Sequence, residues 1–142
     1  MSFYNFNILQ NKGTTKDHVR DLFSRLKDAS KNKKLYIHVG YSKLNILILK
    51  KIYKKGLIMQ YNFVAYNNNI KVWLKYDKRG FGLLDSLEWF SVPGRRVFMT
   101  QKYIKKQNDD FEYLYLTEKG LYFADELIEC ERGGEYLCKF LR

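Results

Sequence analysis

Arg95 and Arg96 follow directly on Pro93 and Gly94, so two guanidinium forks stand beside a tight turn. An arginine meets phosphate with two parallel N–H donors and keeps its charge, and a glycine removes the Cβ that would hold the backbone away from a ligand. Pro93-Gly94-Arg95-Arg96 is thus a turn suited to a phosphate, although a solvated β-turn would use the same residues. Further along, Thr117 stands where an apolar run ends and Glu118, Lys119 and Gly120 turn the chain. Its hydroxyl can donate and accept, which suits a ribose 2′-OH or a base edge; capping the turn is the alternative use. Gly133 and Gly134 then introduce Glu135, in Gly133-Gly134-Glu135-Tyr136-Leu137-Cys138.

Catalysis is hard to build from this chain. His18 falls on an expected helix among charged neighbours and His38 within an expected strand, and neither has a recognisable nucleophile or metal partner. The carboxylates gather toward the C-terminus without the paired framing of a hydrolase, and no glycine-rich nucleotide loop runs into Lys-Ser or Lys-Thr. Cys130 and Cys138 form no Cys-x-x-Cys pair, so neither a zinc site nor any other cofactor is expected. Both thiols read as reduced, with Cys138 a buried strand residue and not a nucleophile. No enzyme is expected.

Charge points to the partner. The 142 residues carry a net charge of +11, and residues 1–106 hold 22 Lys and Arg against 6 Asp and Glu, whereas residues 107–142 hold 4 against 9. Most of the chain should therefore meet a polyanion, while the acidic part faces solvent or a basic protein. A hydrophobic fraction of 46% indicates a folded domain. The longest strongly apolar run, Leu44 to Leu49, is far short of a bilayer span.

These residues need elements to hold them. Val19, Leu22, Phe23 and Leu26 recur at helical spacing and predict a helix from about Thr15 to Ala29, after an extended arm over residues 1–13. Leu35, Ile37 and Val39 alternate as a strand, and Ser42 is placed to cap a second helix that Gly56 closes. Leu57 to Tyr66 and Ile70 to Tyr76 read as a hairpin around Asn67-Asn68-Asn69. The fold class is therefore α/β (α+β), in two small packed lobes. Residues 1–80 should form a helix-strand-helix-hairpin lobe, and residues 81–142 a mainly-β lobe with strand segments at Leu83 to Phe90, Val97 to Thr100, Tyr113 to Thr117 and Tyr136 to Leu141. A short helix is expected from Ala124 to Cys130.

The three motifs of the last third, Ser91-Val92-Pro93-Gly94-Arg95-Arg96-Val97, Thr117-Glu118-Lys119-Gly120 and Gly133-Gly134-Glu135-Tyr136-Leu137-Cys138, occur in the order of one family. The chain resembles the eighth protein of the small ribosomal subunit. Asp17-x-x-x-Asp21-x-x-x-Arg25-x-Lys27, Tyr41-Ser42-Lys43-Leu44, Lys54-Lys55-Gly56-Leu57-Ile58 and Leu74-Lys75-Tyr76 extend the resemblance from about Asp17 to Leu141. It departs in one loop, where the family reads Ser-Thr-Ser-x-Gly and this chain has Leu116 and Glu118 in place of the serines. The resemblance implies a structural role in which the protein binds the central domain of small-subunit rRNA and helps assemble the platform, beside small-subunit proteins five and twelve. It implies backbone contacts from Arg25, Lys27, Ser42 and Lys43, RNA-facing loops around Ser91, Thr117 and Gly133, and an RNA-facing carboxylate at Glu135.

Tyr, Phe, Asn, Lys and Ile are abundant while alanine is confined to Ala29, Ala65 and Ala124, the bias of an AT-rich coding sequence. That bias leads us to expect a divergent mitochondrial member, with a plastid or the bacterial cytoplasm as alternatives. A free regulator, such as a repressor that binds messenger RNA or a DNA-binding module, is the competing function. The expected helices look core-facing and are separated by a strand, which disfavours a helix-turn-helix reader.

Overall fold

Val19, Leu22, Phe23 and Leu26 are all buried on one stripe of the first helix, α1 (Gly13–Lys31). The computed structural model describes residues 13–89, 97–107, 110–130 and 133–141, with side chains from residue 18. Helix α1 runs two residues beyond the expected span at each end, within the usual fraying of helix termini. Lys33, in the left-handed region at φ 57°, turns the chain into β1 (Tyr36–Gly40). Ser42 then caps α2 (Lys43–Lys54), its Oγ accepting from the Asn45 backbone N–H at 3.0 Å. At the far end, Gly56 takes φ 81° and donates to the Tyr53 carbonyl while Leu57 donates to that of Ile52. This is the paired arrangement by which helices commonly satisfy their last carbonyls.

Strands β2 (Ile58–Val64) and β3 (Asn69–Leu74) form the hairpin, joined by a 3-10 turn over Ala65–Asn67 and by Asn68 at φ 53°. The first sheet has the order β1-β3-β2 and is antiparallel throughout. Val39, Ile58, Ile70, Val72 and Leu74 bury its inner face, and α2, with Leu44, Ile48, Leu49 and Ile52 buried, lies against β2. Each such side chain contributes roughly 1.5–3 kcal/mol of burial.

Residues 18–86 form one compact unit, and residues 87–142 belong to the other. Hydrogen bonds, one of them to α1, hold residues 81–86 to the first unit. Asp77 Oδ1 accepts from the backbone N–H of Arg79 and Phe81, which holds its carboxyl below the usual carboxylate range, and Tyr76 bridges to Gly82. Asp85 accepts from the Ser30 hydroxyl of α1 at 2.6 Å and from the Gly82 N–H at 3.1 Å. Leu83 to Ser86 are consequently a turn, and among the described residues of that apolar segment Glu88–Trp89 is extended, as β4.

The second unit continues with β5 (Phe98–Met99), α3 (Gln101–Lys105), β6 (Phe111–Thr117), β7 (Gly120–Phe123), α4 (Ala124–Cys130) and β8 (Gly134–Leu141). Its sheet runs β4-β8-β6-β7, with β5 also on β8, and every pairing is antiparallel. Ile104, Tyr113, Tyr115, Leu127 and Tyr136 form a core cluster, in which burial raises the Tyr115 and Tyr136 hydroxyls above the ordinary phenol range. The mixed α/β class is as expected, and the short helix at Ala124–Cys130 lies where the sequence places it. Helix α3 and strand β7 were not expected: α3 buries only Ile104, and β7 spans four residues.

Two outcomes test this architecture. Ser42→Ala should lower unfolding free energy by about 1 kcal/mol in urea titration, since one helix donor is left without its cap. Cys130 is exposed whereas Cys138 is fully buried, which pushes its thiol well up. A thiol reagent should accordingly titrate one cysteine in the native protein and two in denaturant; two rapid equivalents in the native state would contradict the placement of β8.

Candidate nucleic-acid interface

Thr117 closes β6 and pairs with Gly120 at the head of β7, leaving Glu118 and Lys119 as an exposed two-residue tip. The Thr117 side chain is 5% exposed, accepts from the Lys119 backbone N–H at 3.1 Å and donates to the Gly120 carbonyl at 3.0 Å. Its only proton is thus spent inside the turn, and a hydroxyl in this state can offer a ligand an acceptor at most. The turn-capping use foreseen for Thr117 is realised here.

Gly133 and Gly134 lie against this loop. A Cβ on Gly134 would come within 3.0 Å of Thr117 Cγ2 and 3.1 Å of the Leu116 carbonyl oxygen, and one on Gly133 within 2.5 Å of the Met99 carbonyl oxygen. The glycine pair allows β5 and β6 to approach β8 from opposite sides. Glu135, which follows, pairs with Leu116 of β6 and Phe98 of β5 and is 0% exposed. Glu135, expected to face RNA, is thus buried on a strand bonded along both edges.

In the first unit, Arg25 pairs with Asp21 one turn earlier at 3.0 Å and donates to the His38 carbonyl of β1 at 3.1 Å. Lys27 is half-buried two residues on, and Lys43 is exposed at the first position of α2 beside its cap, Ser42. The buried Asn45 donates from Nδ2 to the carbonyls of Gly40 and His18, so α1, β1 and the start of α2 are tied together. Arg25, Ser42 and Lys43 therefore sit around one framework. Ser91, Gly94, Arg95 and Arg96 lie outside the described residues, as do residues 1–12 of the expected arm, whose last residue, Gly13, begins α1. The flanks of the arginine turn are nevertheless fixed, because Trp89 pairs with Cys138 and Phe98 with Glu135 on the same strand.

Charge is divided between the units. Residues 18–86 carry 15 Lys and Arg against 4 Asp and Glu, a net of +11, while residues 87–142 carry 9 against 10. Nearly all the excess positive charge thus belongs to the first unit. Among the described residues, no cluster of His, Cys, Asp and Glu could hold a metal ion, and no helix is long and apolar enough to cross a membrane.

Against known families, the chain matches the model for ribosomal protein S8 over residues 17–141. It belongs to the ribosomal protein S8 family. Small ribosomal subunit protein uS8 of Campylobacter fetus subsp. fetus is 33% identical over 125 residues, which cover 86% of this chain and 95% of the relative. The uS8 proteins of Nautilia profundicola and Helicobacter acinonychis are 31% and 28% identical over the same shares of each chain. This member of the S8 family is divergent, and its role is that of a structural ribosomal protein, not an enzyme.

Four residues carry no motif in the sequence but share one outward surface, the open face of the first sheet: Tyr36, His38, Lys71 and Trp73. The signal was present as alternation, since His38, Lys71 and Trp73 each stand between buried or half-buried aliphatic neighbours.

The close approach at the glycine pair yields a test. Gly133→Ala places a methyl group against the Met99 backbone and should destabilise the second unit by about 1–3 kcal/mol, read as a lower denaturation midpoint. An unchanged midpoint would mean that β5 does not sit on β8 as described.

Proposed function

We propose that the protein is a structural constituent of the small ribosomal subunit, binding the central domain of small-subunit rRNA directly and helping to assemble the platform. The observation that carries this reading is family membership across most of the chain, joined to a net charge of +11 within residues 18–86. A surface of that sign attracts RNA by releasing condensed counterions, so affinity rises steeply as salt falls.

Specificity comes from placement of a few groups. Arg25, Lys27 and Lys43 are assigned to the RNA backbone, with Ser42 setting the direction of α2 beneath Lys43. The Arg95 and Arg96 turn is assigned to phosphate on the chemistry of its residues, and its flanking strands supply rigid ends. In the second unit the exposed Glu118 and Lys119 tip meets RNA, while Thr117, Gly133, Gly134 and Glu135 shape it from within. Such a surface reads the shape of A-form RNA and its 2′-OH groups, because the deep groove hides the base edges. Neighbouring small-subunit proteins, five and twelve among them, are the assigned protein contacts.

The named relatives are bacterial. A mitochondrial ribosome is proposed on the compositional bias alone, and a bacterial cytoplasm is the other home. Native lysate sedimented through sucrose, in moderate and then high salt, tests the assignment. Salt-resistant migration with small-subunit rRNA is expected, and migration as free protein would overturn it in favour of a regulator. In binding assays, Arg95→Ala with Arg96→Ala should reduce the slope of log affinity against log salt by roughly 0.7–0.9 for each phosphate that is no longer neutralised.

A further inference from the structure

We propose that the open face of the first sheet is a second RNA site that takes unpaired bases by stacking. Alternation sends Val39, Ile70, Val72 and Leu74 inward, so the opposite face presents Tyr36 and His38 from β1 and Lys71 and Trp73 from β3. The register sets Tyr36 beside Trp73 and His38 beside Lys71, and Gln60 and Asn62 of β2 continue the two rows. Tyr36 and His38 meet edge to face at 5.8 Å between ring centres. Lys71 Nζ stands 4.0 Å from the centre of the Tyr36 ring and 4.7 Å from that of Trp73.

These distances describe a cation held between aromatic rings on a surface that is still open: Tyr36 retains 44% of its exposure. Aromatic rings interleaved with a basic group are what a single strand needs, since every base has a face to stack and every linkage a phosphate to pair. The six outward residues include no carboxylate, and the unit that bears them has a net charge of +11. Charge complementarity therefore selects a polyanion over an acid-poor protein surface. Base-paired RNA keeps its bases stacked within the helix and would offer these rings only its backbone, so the occupant is an unpaired RNA segment. The site rests on the ribosomal reading only for the origin of that RNA.

The test uses the full chain and three probes: an unpaired oligoribonucleotide of mixed sequence, a duplex RNA of similar charge, and a fragment of small-subunit rRNA. The unpaired strand should quench tryptophan fluorescence saturably, the duplex should not, and Trp73→Phe should abolish the change while Trp89 remains. Tyr36→Ala should weaken binding of the unpaired strand about tenfold, the scale of one stacked base, with an unchanged melting temperature. Because Tyr36→Ala could disturb the sheet, Lys71→Gln serves as a second variant and should weaken the same probe while leaving the rings in place. Normal binding of the rRNA fragment with no quench and no effect of either variant would overturn the stacking site and leave the ribosomal function standing. Cross-linking of Tyr36 or Trp73 to a protein in assembled subunits would likewise overturn it. Failure to bind any of the three RNAs would overturn both.

Discussion

Strand β8 is the member on which the second unit depends. It is bonded along one edge by β6 and along the other by β4 and then β5, so three separate segments are ordered by one strand. The constraint tightens at its start, where Gly133 and Gly134 leave no room for a Cβ beside Met99 and Thr117. Tyr136 and Cys138 continue inward from there, and Glu135 is enclosed between two neighbours. The Gly133-Gly134-Glu135 motif is thus packed closely between the neighbouring strands. The exposed Glu118 and Lys119 tip and the flanks of the arginine turn both take their positions from this strand.

The first unit solves a different problem. It must keep a dense positive charge on a small sheet without unfolding, and it does so by putting most of the cations on exposed helix and loop positions while an aliphatic layer closes beneath them. Ordinary capping contributes the rest: Ser42 and Gly56 delimit α2, and Asn45 ties its start to the carbonyls of β1 and α1. Repulsion among exposed lysines is screened by salt over about 8–10 Å, whereas the buried layer is indifferent to it. Stability and RNA affinity can therefore respond oppositely to ionic strength.

Elements with a repeating apolar stripe or a chemically specific end were legible in the sequence. Helix α1 followed from Val19, Leu22, Phe23 and Leu26, and α2 from Ser42 and Gly56. Helix α3 escaped because a five-residue helix with one buried side chain, Ile104, has no period to detect. Residues 81–86 join the first unit, where Asp85 bonds to Ser30, a contact between residues 55 apart that no local pattern encodes. Of the candidate site, Thr117 and its neighbours were singled out by their chemistry, whereas the burial of Glu135 follows from a register whose partners are distant in the chain.

The position of β8 in chain order has a consequence for synthesis. Residues 18–86 contain every strand of the first sheet, so that unit can close as soon as they have left the ribosome that makes them. Strands β4 and β5 must wait, because their common partner is translated last among the elements of their sheet, whereas β6 can already pair with β7. Nascent chains thus pass through a state in which a finished, strongly basic unit precedes an unfinished one with open strand edges. Early engagement of RNA by the first unit would hold such a chain at its destination while the last strand arrives, and spare it the edge-to-edge pairing that exposed strands invite.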